Sequence, residues 1–236
     1  MGYYGYGFDW TYLMVLAGAI LSMIASAKVN STFQKYARVR SMSGMTGAQV
    51  ARRILDRNGL SEIPVEHVSG NLSDHYDPGR RVLRLSDSTY NSPSVAAIGV
   101  AAHECGHAIQ HKESYGPLKL RTAIVPAANL GSRLGIPIIL LGVFFGGGGS
   151  FLINLGIWVF SLAVLFQIVT LPVEFNASSR ALVMLEDYGI LGQEEKRKAK
   201  SVLSAAAMTY VAAAAASILQ LLRLVILFGG RGRDRD

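Results

Sequence analysis

Phe151 to Val173 is a run of 23 residues with no charge in it. A helix needs about 20 apolar residues to cross a hydrocarbon layer about 30 Å thick. Within that layer the backbone must satisfy its own hydrogen bonds, so such a run has to be helical. Three other stretches share this character. Trp10 to Ala27 is also uncharged. Leu118 to Phe145 is mostly apolar, with Arg121 and Arg133 in its first half and Pro137 within it. From Leu134 onward it is too short to span alone, so it crosses whole only if Arg133 lies near one end or faces protein. Gly146 to Ser150 reads as a tight turn that makes a helical hairpin of this stretch and the next. Val202 to Phe228 is a candidate fourth span, rich in small residues from Ala205 to Ala216 and interrupted by Arg223.

The mean hydropathy of +0.31 and 50% hydrophobic composition agree with a membrane protein. The expected fold is therefore mainly α, a polytopic α-helical membrane protein with a small α+β part outside the spans. We read 1–236 as a single membrane-embedded domain with spans at 10–27, 122–146 and 151–173, a candidate span at 203–228, and a soluble insert at 28–121.

The net charge of +7 has a topological explanation. Lys28, Lys35, Arg38, Arg40, Arg52, Arg53 and Arg57 follow the first span, opposed only by Asp56. Basic residues collect on the cytoplasmic side, which puts the insert inside and the N-terminus outside. Tyr3, Tyr4, Tyr6 and Trp10 suit the aromatic belt at the outer interface. A crossing at 203–228 would carry Arg231, Arg233 and Arg235 outside, against this bias, which Asp234 and Asp236 soften. There is no nucleic-acid motif and no internal repeat, and one cysteine cannot form an intrachain disulfide.

Within the insert, Thr46 to Gly59 reads as a short amphipathic helix, with Thr46 as N-cap and Gly59 as the stop. Ile63–Val68 and Arg81–Ser86 alternate as strands, and Asp77-Pro78-Gly79 is a turn. This predicts a strand-turn-strand unit whose edge could pair with an extended peptide.

Ala101 to His111 follows, containing His103-Glu104-Cys105-Gly106-His107. Ser92-Pro93 predicts an N-cap and first-turn proline, and the run from Val95 to Ala102 leads into the motif. On a helix, His103 and His107 lie on one face a turn apart, where both imidazoles can reach one ion at about 2.0–2.1 Å. Glu104 then stands where a carboxylate can reach an attacking water without ligating, the position of a general base. His111 lies two turns from His103 on an unbroken helix and cannot join the same ion. Cys105 points away from the histidines and reads as a core residue.

A catalytic zinc takes three protein ligands and one open position. The acidic candidates for the third are Glu113, Glu174, Glu186 and Asp187. Glu113 is too near His107 on the same helix. Glu174 leaves the membrane on the motif's side, and Ala177, Ser178 and Ala181 follow at helical spacing, small enough for close packing on the motif helix. Glu186 and Asp187 read as a solvated helix end.

Four stretches together, Leu72 to Pro78, Arg81 to Ser86, Ser94 to Gln110 and Glu174 to Ala181, resemble the YugP-type neutral zinc metallopeptidases of bacterial membranes. More distantly the chain is similar to the HtpX-type membrane gluzincins. The resemblance implies a multi-pass protein of the bacterial inner membrane with one catalytic Zn2+ in a small α+β, zincin-like cytoplasmic part. By motif, the ligands are His103, His107 and Glu174 and the base is Glu104. HtpX-type sequences usually carry Asp where Ser178 stands, a stronger orienter of a ligating histidine than a hydroxyl. The expected activity is endopeptidase cleavage of peptides or membrane proteins near the cytoplasmic face. His75, Tyr76 and Arg180 are the candidates to donate to the oxyanion that such chemistry requires. The alternative is a catalytically inactive, metal-binding membrane scaffold or chaperone partner, which would have no need for Glu104. A metal transporter would place its ligands within uncharged spans, whereas this motif lies in the insert.

Overall fold

The computed structural model describes residues 9–146 and 149–229. Tyr3, Tyr4, Tyr6, Arg231, Arg233 and Arg235, on which part of the topological reading rests, lie outside them. The order is α1 (Tyr12–Ala37), α2 (Gly47–Arg57), β1 (Val65–Val68), β2 (His75–Asp77), β3 (Val82–Ser86), α3 (Val95–Lys112), α4 (Gly116–Phe144), α5 (Ser150–Asp187) and α6 (Gln193–Phe228). The fold is mainly α with one small sheet, as the hydropathy pattern requires. Four helices, α1, α4, α5 and α6, are long and apolar enough to cross a membrane. α5 and α6 run well beyond the expected spans, at 38 and 36 residues.

The chain divides into two compact units. One draws on residues 9–24, 123–146, 149–168 and 211–229. In it α4 and α5 form the expected hairpin, brought close by glycine: a Cβ on Gly131 would lie 2.4 Å from the Val159 carbonyl, and one on Gly156 2.7 Å from that of Gly135. Arg223 is not stranded in its apolar run. Its Nε donates to Thr11 Oγ1 at 3.1 Å, its Nη2 lies 3.6 Å from Asp9 Oδ2, and it stacks over Tyr12.

The other unit comprises Ala25–Thr122 and Val169–Tyr210. Its core joins Val50, Ile54 and Leu55 of α2, Leu83 and Leu85 of β3, and Ile98, Ala102 and Ile109 of α3. α2 starts where expected, with a complete capping box between Thr46 and Gln49, and Gly59 follows it at φ +63°.

Two details differ from expectation. The sheet has three strands in the order β1-β3-β2, with β1 parallel and β2 antiparallel to β3. The hairpin at Asp77-Pro78-Gly79 therefore joins β2 to β3, and three-residue β2 is too short to show alternation. Arg84 on β3 ties all three strands, pairing with Glu66 and Asp77. The N-cap of α3 is Ser94, not Ser92. Ser94 is extended and its Oγ accepts from the Ala97 amide at 3.2 Å, while Ser92 Oγ bonds to Ser94 Oγ. The Pro93 carbonyl accepts from Ser41, which keeps Pro93 outside the helix.

Candidate metal centre

α3 presents its two histidines on one face, as a four-residue spacing must. His103 Nε2 and His107 Nε2 lie 3.2 Å apart. α5 adds Glu174, whose Oε2 is 3.3 Å from the first and 3.5 Å from the second. Among the described residues this trio is the one group able to hold a metal. A tetrahedral ion with bonds of about 2.0–2.1 Å requires ligand atoms about 3.3–3.4 Å apart, so the triangle has the dimensions of one face of that tetrahedron.

The hydrogen-bond network fixes His107 Nε2 as an acceptor turned toward the cluster and is compatible with the same role for His103 Nε2. Gln110 Nε2 sits 2.9 Å from the Val173 carbonyl, which can only accept, so that atom of the amide is the nitrogen. Gln110 Oε1 is then the atom 3.0 Å from His107 Nδ1, and it can only accept. His107 Nδ1 therefore carries the proton, and in the neutral ring Nε2 turns a bare lone pair toward the cluster. Asn176 Oδ1 accepts from both Gln110 Nε2 and Arg180 Nε, which fixes the same direction from the far end. His103 Nδ1 lies 3.1 Å from Ser178 Oγ, which can accept its proton in the same way. Glu174 is 3% exposed; Arg121 donates to its Oε1 at 3.3 Å, while Oε2 has no hydrogen-bond partner. Three lone pairs converging on one buried point repel one another unless a cation stands there. The donor set of two imidazoles and one carboxylate fits zinc. The site's field points the same way. Burial pulls the His107 pKa down, yet the Glu174 and Glu104 carboxylates more than offset it and hold it above the ordinary value.

Glu104 stands next to this trio without belonging to it. It is 8% exposed, and its Oε2 accepts from the Tyr76 amide of β2 at 2.9 Å. The edge strand thus aims the carboxylate. Glu104, His103 and Glu174 share a cavity of about 220 Å³, whose other walls include Val100, Leu203 and Ala207.

α5 reaches the trio because α3 has a glycine at the contact. A Cβ on Gly106 would lie 2.7 Å from the Ala177 carbonyl and 3.1 Å from its Cα. This residue sits inside the His-Glu-x-x-His pattern, between the two histidines.

The other residues weighed from the sequence lie elsewhere. Glu113 ends α3 and pairs with Arg180 at 2.7 Å, and Glu186 is held by Gln193 and Lys196. Asp187 is the last residue of α5. His111 Nδ1 bonds the Tyr76 hydroxyl at 2.8 Å, away from the trio. Cys105 is fully buried, contacts the Ala51 carbonyl, and has its thiol pushed up by burial, so it is an inert core residue. His75, Tyr76 and Arg180 do not line the cavity. The sequence reading missed Gln110 and Arg121. Gln110 had a signal, since i+3 from a ligating histidine is helical-neighbour spacing.

A family profile described as "Putative neutral zinc metallopeptidase" matches residues 11–229, nearly the whole chain. The chain belongs to this family. It is also 52% identical over 223 residues to the "Putative membrane protease YugP" of Bacillus subtilis (strain 168), covering 94% of this chain and 98% of that protein. Membership agrees with the four apolar helices found among the described residues and with a largely buried His/His/Glu trio in one unit. No solved structure matches the chain.

Proposed function

We propose that this protein is an integral membrane zinc endopeptidase of the gluzincin type, with His103, His107 and Glu174 as metal ligands and Glu104 as general base. The observation that carries the reading is the convergence of two imidazole nitrogens and a buried carboxylate oxygen on one point, that Glu174 oxygen having no hydrogen-bond partner. Zinc bound there would supply a Lewis acid for the scissile carbonyl and lower the pKa of water. The chain's own groups do the rest. Glu104, oriented by the Tyr76 amide, accepts a proton from the attacking water and passes it to the departing amine as the C–N bond breaks. Gln110 and Ser178 hold the imidazoles, and Arg121 holds the far oxygen of Glu174. The apolar cavity wall suits an apolar side chain beside the scissile bond.

We place the site on the cytoplasmic face of the bacterial inner membrane, because seven basic residues from Lys28 to Arg57 accompany it. The pairing of Arg223 with Asp9 supports a fourth crossing by α6.

The test is metal analysis of the purified protein together with cleavage of an unfolded protein such as casein. Glu104→Gln should keep zinc at one per chain and lose cleavage, because the amide keeps the shape and cannot take a proton. Cleavage at the wild-type rate refutes the base, and loss of zinc makes Glu104 a ligand.

A further inference from the structure

Hydrolysis at this centre needs a donor for the negative charge that grows on the scissile carbonyl oxygen. That donor has to line the cavity shared by His103, Glu104 and Glu174. Among the described residues lining it, few side chains carry a proton to give. Ser178 Oγ sits 3.1 Å from His103 Nδ1, behind the ring and on the side opposite the Nε2 that faces the trio. Thr209 Oγ1 donates to the Ala206 carbonyl at 2.6 Å. Asp74 is an acceptor, held by the amide and hydroxyl of Ser86 at 2.8 and 2.9 Å. Tyr210 remains. It stands on α6, half-buried, and lines the same cavity as His103, Glu104 and Glu174. It therefore lies beside the ligand trio and beside the base, where the carbonyl of a peptide under attack has to sit.

Resting on the hydrolase reading above, we propose that Tyr210 is the catalytic donor that hydrogen-bonds the scissile carbonyl oxygen as it becomes an oxyanion. The phenol keeps its proton throughout. Its O–H shortens its bond to the oxygen as charge builds there and relaxes when the carbonyl re-forms. α6 would thus supply part of the active site, and its first half could not be removed without losing turnover.

The test compares zinc-loaded wild-type protein, Tyr210→Phe and Ser201→Ala. The readouts are zinc affinity by chelator competition, casein cleavage, and calorimetric binding of a phosphinic peptide, whose tetrahedral centre imitates the oxyanion. Tyr210→Phe removes one oxygen atom from a half-buried ring, so the fold should survive. Its zinc affinity should equal wild type, with kcat and phosphinic-peptide affinity each down about 10²-fold. Ser201→Ala should match wild type in all three, since Ser201 is an exposed hydroxyl of α6 outside that cavity. Wild-type kcat and phosphinic-peptide affinity in Tyr210→Phe overturn the proposal. So does a loss of zinc affinity in that variant, which would make the phenol a positioning group for Glu174. A wild-type protein that holds zinc yet neither cleaves casein nor binds the phosphinic peptide overturns the hydrolase reading itself.

Discussion

Replacing Gly106 with alanine should detach the third ligand from a distance. The new methyl would sit 2.7 Å from the Ala177 carbonyl oxygen. A comfortable carbon–oxygen contact is about 3.3 Å, so one helix has to move by about 0.6 Å. The obstacle is backbone, and no side-chain rotation relieves it. Glu174 lies less than one turn before Ala177 on the same helix, so it moves with the contact. Metal–ligand distances tolerate only about 0.2 Å, and the displacement exceeds this threefold. Zinc affinity should fall by about 10–100-fold, the range seen when groups supporting a ligand are lost, with about 1–3 kcal/mol of overpacking destabilisation. Gly99→Ala is the control on the same helix, since its Cβ would meet Ala199 Cβ at an ordinary 3.4 Å. Chelator competition on both variants, with thermal melts in excess chelator, separates the metal effect from the fold effect. Wild-type zinc affinity in Gly106→Ala would refute the claim that α3–α5 spacing sets the ligand triangle.

Glu174→Ala should lose both zinc and cleavage, while Glu113→Ala and Glu186→Ala, which remove surface partners of Arg180 and Lys196, should keep zinc at one per chain by metal analysis. Retention of zinc by Glu174→Ala at wild-type affinity would dismiss the trio. Gln110→Leu removes the acceptor that fixes the His107 tautomer and should weaken zinc by about 10–100-fold in the same titration; unchanged affinity would show that the tautomer is set otherwise. Cysteines placed at exposed Gly79 and Gly146 should react with an impermeant maleimide from inside and outside the cell respectively, over a silent background because Cys105 is buried with its thiol pushed up. Labelling of both from one side would overturn the proposed orientation.

Much of this protein follows from local chemistry that a sequence displays directly. Twenty-three uncharged residues from Phe151 to Val173 demand a membrane helix wherever they occur. Helical periodicity puts His103 and His107 on one face whatever the rest of the chain does, and it excludes His111 from the same ion. Thr46 and Gln49 announce the start of α2 because a capping box closes within one turn. Three-residue β2 escaped notice because alternation needs more residues than it has. Glu174 was reachable only by elimination and resemblance, because it stands 67 positions after His107 and its value as a ligand depends on how closely α5 packs on α3. That distance is decided by the bare Cα of Gly106 against the Ala177 carbonyl, which is a property of two backbones in contact. The chain from Arg180 through Asn176 and Gln110 to His107 is likewise tertiary, since each bond joins α5 to α3 or passes along their shared face. Tyr210 carried no signal at all: in sequence it is one tyrosine in an alanine-rich helix, and only the folding of α6 against α3 and α5 brings it into the cavity with Glu104 and Glu174.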